Sequence, residues 1–274
     1  MKKIDLHLHT TDSDGLYTAM QLIQAARKHG YHTISITDHD TIEGYRKVKD
    51  KAKELQINLI PGVEISSHYQ GHDVHILAYG FNTEHKELLD LLDYIHQGRI
   101  SRAEKMLAYL DKIGIHISME DLFRLSGDQD LLGRPHMARA MMEKGYVRSI
   151  KEAFDKYIGD RCPGYVSKPS LEVPDIVRIV HDAGGITSIA HPYKLYRNQY
   201  IEDFSAMGID ALEVFYMDHS SQQVAFYEMI TRKFGLLRTG GSDFHGEDNR
   251  GTTFGTFSVP EVVLEDLKDI IKQV

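Results

Sequence analysis

The sequence predicts an α/β fold closed into a barrel, and three features of its 274 residues lead there. Short apolar runs alternate with amphipathic helical stretches, the pattern of βαβ units. Seven such runs can be read, a number that favours a closed barrel over an open doubly wound sheet. A histidine or carboxylate stands at or near the end of almost every run, where barrels carry their chemistry.

The predicted strands are Ile4–His9, Thr33–Thr37, Asn58–Ile65, Val74–Phe81, Ile186–Ala190, Ala211–Phe215 and Leu236–Thr239. Between the first two, Thr18-Ala-Met-Gln21 gives a capping-box start to a helix that stops at Gly30. A second helix is expected from about Thr41 to Leu55, and a third over Val173–Ala183, with Pro174 suited to its first turn. From Arg99 to Lys168 the rhythm changes to helical spacing (Met106, Leu107, Leu110, Ile113; then Met137, Ala140, Met141) without a convincing strand. Residues 99–168 are therefore expected to form a helical insertion capping the barrel mouth, with 1–98 and 169–274 making the barrel domain. A helix over Pro260 to Lys272 ends the chain.

Composition narrows the function. No apolar run approaches the ~18 residues needed to span a bilayer, and Met1-Lys-Lys-Ile-Asp-Leu-His lacks the apolar core of a signal peptide. No membrane association is expected. Cys162 is the single cysteine, which fits a reducing cytoplasm and reads as a small packing residue rather than a nucleophile. The formal charge is −8 with no basic face, so binding to long duplex nucleic acid is not expected. Attraction for an anionic substrate would have to be local.

The sixteen histidines are where the chemistry lies. In Asp5-Leu-His7-Leu-His9, alternation along a strand puts His7 and His9 on one face, where two imidazoles can share a metal. Asp14 follows in the next loop. Thr37-Asp38-His39-Asp40 ends the second strand, although Asp40 could simply cap the following helix. Pro61-Gly-Val-Glu64 sets a carboxylate among apolar neighbours, which requires a cation or strong hydrogen bonds. His75 lies at the start of the fourth strand, and His72 in the loop before it. Ala190-His191-Pro192 ends the fifth strand. Gly240-Gly-Ser-Asp243-Phe-His245 follows the last, its glycines permitting close backbone approach. Of the remaining histidines only His136 stays open as a functional candidate.

Taken together, His7-Leu-His9 with Ser13-Asp14-Gly15, Thr37-Asp38-His39, Gly62-Val-Glu64, His75, Ala190-His191-Pro192 and Ser242-Asp243-Phe-His245 resemble the motifs of the polymerase and histidinol phosphatase (PHP) family, in its order and over nearly the whole chain. The resemblance implies a distorted (β/α)7 barrel and a metal-dependent phosphoesterase, a hydrolase with two or three divalent ions. His7, His9, Glu64 and Asp243 resemble the ligands of one ion. Asp14, His39 and His245 resemble those of a second, and Glu64, His75 and His191 those of a third. Residues Gly133–Val147 are similar to the insertion of a narrower branch that acts on nucleoside 3′,5′-bisphosphates and short oligoribonucleotides.

Six histidines and three carboxylates with no thiolate suit Mn²⁺, Fe²⁺ or Zn²⁺. Three such ions, about +6, would exceed the roughly −3 of Asp14, Glu64 and Asp243 and favour a phosphate ester. The expected reaction is attack on phosphorus by a metal-activated water, removing the 3′-phosphate of a nucleoside bisphosphate. Asp38, Arg134 and His136 are candidate catalytic residues. Arg134, His136, Lys168 and Tyr193 are candidate substrate-binding residues, with Arg134 suited to a bidentate phosphate clamp. A histidinol phosphatase-like enzyme of small metabolites and a non-catalytic metal-binding module are the competing readings.

Overall fold

The structure, a computed structural model, describes residues 2–126, 132–167, 171–246 and 253–271. The chain divides into two compact units, one of Met1–Asp90 with Ser170–Val274 and one of Leu91–Pro169.

The first unit is built on one sheet of β1 (Lys3–Leu8), β2 (Tyr31–Ile36), β3 (Asn58–Tyr69), β4 (His72–Tyr79), β5 (Leu171–Glu172), β6 (Ile186–Ile189), β7 (Ala211–Tyr216) and β8 (Leu237–Gly241). Their order is β1-β2-β3-β4-β6-β7-β8, with β5 paired to β3. The helices in chain order are α1 (Ala19–Lys28), α2 (Glu43–Glu54), α3 (Lys86–Lys112), α4 (Met119–Ser126), α5 (Arg134–Glu143), α6 (Ile150–Ala153), α7 (Val173–Asp182), α8 (Tyr200–Ala206), α9 (Ser221–Phe234), α10 (Val262–Asp266) and α11 (Lys268–Ile271). None of the described helices is long and apolar enough to cross a membrane.

The sheet nearly closes into a barrel. Beyond the end of β8, the amide of Asp243 donates to the carbonyl of His7 (2.9 Å) and that of His9 donates to the carbonyl of Phe244 (3.0 Å). Gly241 makes this approach possible, because a Cβ there would overlap the backbone of His7. Apolar residues of β1, β2 and β3 pack with α1 and α2 into one core (Leu8, Ile34, Ile36, Leu59 with Leu22, Ile23, Val48). A second core joins Ile4, Leu6, Leu77, Tyr79 and Ile186 to Val263 and Leu267.

Local signals account for several boundaries. Thr18 and Gln21 form the reciprocal capping box of α1: the Gln21 amide donates to Thr18 Oγ1 (3.2 Å) and the Thr18 amide to Gln21 Oε1 (2.9 Å). Pro174 stands in the first turn of α7. Other elements differ from the sequence reading. β3 runs to Tyr69 rather than Ile65 and returns as an antiparallel β4, beginning at His72. Gln70 (φ 49°) and Gly71 (φ 80°) make the two-residue turn, with both residues left-handed as such hairpins require. His72 is consequently a strand residue rather than a loop residue, with its ring stacked on Tyr196 (4.0 Å between centroids). The expected C-terminal helix is broken at Leu267, whose fully buried side chain accompanies a non-helical backbone (φ −97°, ψ 10°).

In the second unit, Met106, Leu107 and Leu110 of α3 meet Met137, Ala140 and Met141 of α5 in a core of their own. The boundary read at Arg99 falls inside α3, because its apolar spacing already begins at Leu88, Leu91, Leu92 and Ile95. Ile113, read as part of the same apolar face, is 45% exposed. The helix ends at Lys112, so the helical phase no longer applies to it. Cys162 is half-buried, its Sγ 3.3 Å from the carbonyl of Phe154.

Candidate metal centre

The donors reach one end of the barrel from nearly every strand. His7 lies on β1, with His9 and Asp14 just beyond it; His39 follows β2, His191 follows β6, and Asp243 and His245 follow β8. Glu64 lies within β3, and the antiparallel direction of β4 brings its early residue His75 to the same end.

The side chains converge in three groups: His7, His9, Glu64 and Asp243; His9, Asp14, His39 and His245; His39, Glu64 and His75. In the first, His7 Nε2 and His9 Nε2 are each 3.3 Å from Glu64 Oε2, and lie 3.3 and 3.2 Å from Asp243 Oδ1. Four donors about 2.0–2.1 Å from a tetrahedral ion stand roughly 3.3 Å apart. In the second, His245 Nε2 is 3.2 Å from Asp14 Oδ1. Glu64 joins the groups: its Oε1 lies 2.9 Å from both His75 Nδ1 and His191 Nε2, and its Oε2 lies 3.1 Å from His39 Nδ1. All nine predicted donors thus lie at this end, but His191 meets Glu64 without joining any of the three groups, and His9 and His39 each touch one group more than the resemblance assigned.

The fit to cations rests on the atoms themselves. His7 Nε2, His9 Nε2, Asp14 Oδ1, His39 Nδ1 and Glu64 Oε2 are buried without a hydrogen-bond partner. Burying such atoms unsatisfied is costly, and cations held by the three groups would satisfy them. Electrostatics agree. Burial alone would raise Asp14, Glu64 and Asp243, yet His39 beside the first two and His7 beside the third hold all three well below the usual carboxylate range. Burial disfavours charge on His9, but its contacts with Asp243 and Glu64 push it up to about 10. Burial takes His39 down to about 3. The carboxylates therefore stay ionised, the form that would hold divalent ions.

Further residues fix the donors. Glu213, fully buried on β7, accepts from His7 Nδ1 (2.8 Å) and from the His191 amide (2.5 Å). A carboxylate there sets the His7 tautomer and leaves Nε2 free for a cation. His245 Nδ1 likewise faces the carbonyl of Asp243 (2.8 Å). Asp5 accepts from the amides of Ser242 (2.9 Å) and His7 (3.3 Å), tying β1 to the loop after β8, and burial raises its carboxyl to about 7. Asp40 does the same for β3, accepting from the Ser66 amide (2.6 Å) and hydroxyl (2.9 Å). Asp40 (φ 56°), His191 (φ 28°) and Asp243 (φ 53°) are non-glycine residues with left-handed backbone, strain of the kind that collects at functional sites.

The catalytic duty expected of Asp38 does not match its surroundings. It is buried, and its oxygens accept from the Thr10 amide (2.7 Å), the Ser13 hydroxyl (2.6 Å) and the Thr10 hydroxyl (2.7 Å). It therefore pins the loop that carries Asp14. Arg134 and His136 lie in the second unit. Arg134 pairs with Asp160 (2.5 Å) and its guanidinium lies over Phe154 and Tyr165. His136 is buried, and its Nδ1 accepts from the Gly133 amide (3.2 Å) to cap α5. Lys168 lies outside the described residues. Tyr193, 39% exposed, follows His191 in the short 3-10 turn Pro192–Lys194 and packs near Tyr216 and His219. In the same turn Lys194 Nζ reaches Asp243 Oδ2 (3.2 Å). Sequence reasoning singled out none of Asp5, Lys194 or Glu213. Glu213 carries the same signal as Glu64, a carboxylate inside an apolar strand.

Known proteins give the frame. The model of the PHP domain matches residues 5–160. A 5′-3′ exoribonuclease of Haemophilus influenzae is 32% identical over 249 residues, 89% of this chain and 90% of that protein. A 3′,5′-nucleoside bisphosphate phosphatase of Chromobacterium violaceum is 32% identical over 260 residues, 93% of this chain and 91% of that protein. A solved structure from Bifidobacterium adolescentis, described as a metal-dependent phosphoesterase, superposes with a TM-score of 0.84 at 28% identity, covering 97% of this chain and 96% of that one. With its motifs gathered at one end of a nearly closed barrel, the chain belongs to the PHP family of metal-dependent phosphoesterases.

Proposed function

We propose that this site hydrolyses a phosphate monoester, the 3′-phosphate of nucleoside 3′,5′-bisphosphates, and that short oligoribonucleotides are further substrates. The observation that carries the reading is the gathering of five buried, unpartnered donor atoms in three groups that share residues. A mixed imidazole and carboxylate shell suits two or three ions of Mn²⁺, Fe²⁺ or Zn²⁺. Bound there, such ions would supply Lewis acidity for a phosphoryl oxygen and a water acidified toward a pKa of ~7.

The protein contributes placement. Glu213 and the Asp243 carbonyl hold His7 and His245 with their Nε2 atoms turned to the carboxylates. Asp5 and Asp40 brace the strand ends, and Asp38 holds the Asp14 loop. Tyr193 offers a partly exposed ring on which a base could stack. The Chromobacterium violaceum relative supports the bisphosphate, and the Haemophilus influenzae relative supports the oligoribonucleotide.

Manganese-loaded protein should release phosphate from adenosine 3′,5′-bisphosphate well above a chelated control. Histidinol phosphate and a long RNA, run alongside, should react far more slowly. No release from any of the three would refute the activity, and preference for histidinol phosphate would move the substrate to the competing small-metabolite reading.

A further inference from the structure

The two oxygens of Asp243 face different ways. Oδ1 lies among the cluster donors, 3.3 and 3.2 Å from His7 and His9 Nε2. Oδ2 points to the rim, where it accepts from the Tyr216 hydroxyl (3.0 Å) and meets Lys194 Nζ (3.2 Å). The ammonium also lies over the rings of Tyr193 (5.8 Å) and Tyr216 (5.5 Å), which hold it in place. The Lys194 side chain is 43% exposed, Asp243 9% and Glu64 0%, so the ammonium stands between the cluster and solvent. An ion pair open to water to this degree contributes little stability. Oδ2 keeps the Tyr216 hydroxyl when the lysine moves away, so Lys194 can leave without stranding the carboxylate.

We propose that Lys194 is a catalytic residue of the phosphoesterase site, its ammonium contacting the substrate phosphoryl group from the rim and stabilising charge on the departing oxygen. The proposal rests on the phosphoester reading above. In-line displacement places the attacking water and the departing oxygen on opposite sides of phosphorus. With the donors on the floor, the side left for the departing group is the rim, where Lys194 stands. The water oxygen forms its bond to phosphorus as the phosphorus–ester oxygen bond breaks. The products are the alcohol and inorganic phosphate, and the two protons of the water divide between them. Lys194 keeps its proton throughout and contributes only charge.

Lys194→Met and Lys194→Arg, each checked for wild-type metal content, test this. In Lys194→Met, hydrolysis of a nucleoside phosphate, with its poor leaving group, should fall roughly 10²–10³-fold. Hydrolysis of p-nitrophenyl phosphate, whose leaving oxygen needs little help, should fall by about tenfold or less. Calorimetric titration with inorganic phosphate should show about tenfold weaker binding to the Met variant, restored in the Arg variant. Wild-type phosphate affinity in Lys194→Met, or equal losses on both esters accompanied by lost metal, would overturn the proposal. A wild-type chain that splits neither ester refutes the proposed activity instead, and the phosphate titration still decides whether Lys194 makes its contact.

Discussion

Charge is arranged in opposite ways in the two units. In the second unit, several carboxylates and bases pair at the surface: Arg124 with Glu143 (2.6 Å), Lys151 with Asp155 (2.5 Å), Lys156 with Glu152 (2.7 Å). These side chains are 26–83% exposed, and such pairs contribute little to stability individually. At the end of the barrel, carboxylates and imidazoles are buried or half-buried, and five of their buried atoms have no hydrogen-bond partner. Hydrated charges can remain in a protein for solubility alone. Buried ones with unmatched atoms are retained at a cost in stability, which gives the barrel cluster a role that the surface pairs do not require.

The largest expected effect that would break this contrast belongs to Glu64, common to two donor groups. Glu64→Ala should lower bound metal and reduce turnover at least roughly 10²–10³-fold, measured by elemental analysis and initial rates on one sample. Full metal content with wild-type rates would reduce the cluster to a polar core. An intermediate effect is expected at Glu213, which touches His7 without joining a donor group. Glu213→Gln should weaken metal affinity about 10–100-fold, read by competition with a chelator, while secondary structure is retained. Unchanged affinity would assign Glu213 to packing.

The smallest effect is expected in the second unit, at Asp121. The Lys144 ammonium and the Ser118 amide hold its carboxyl down at about 2. Ser118 and Asp121 cap α4 reciprocally. Its folded value lies below the ordinary 3.8, so its stabilisation is present above about pH 4 and is lost as pH falls through about 2. Asp121→Ala should cost about 1 kcal/mol near neutrality, with the gap to wild type closing between about pH 4 and pH 2. Turnover should not change. A gap in thermal unfolding that is independent of pH would show that the carboxylate charge is not what matters.

Legibility followed the range of the forces involved. Apolar runs and the Thr18 capping box are local, and they located the seven strands of the ring and the start of α1. The cluster donors were legible because imidazoles repeated at the ends of apolar strands suit metal coordination better than packing. Strand direction was not: nothing in the periodicity of His72–Tyr79 distinguishes an antiparallel neighbour from a parallel one, and only the Gln70-Gly71 turn hinted at the hairpin. Asp38 reads as catalytic because it stands in a Thr-Asp-His-Asp run at a strand end, whereas its oxygens are engaged by Thr10 and Ser13, 28 and 25 residues away. Glu213 and Lys194 act on partners 206 and 49 residues distant, a relation that spacing cannot reveal.

Gly241 links the ring to its chemistry. The space a methyl group would need there is filled by the backbone of His7. Any larger residue would wedge the first strand away from the last, and His7 would move with it. How far apart the imidazole and the Asp243 carboxylate sit is thus governed partly by a residue that offers no ligand atom. Substitution there should detune the centre even with every donor intact.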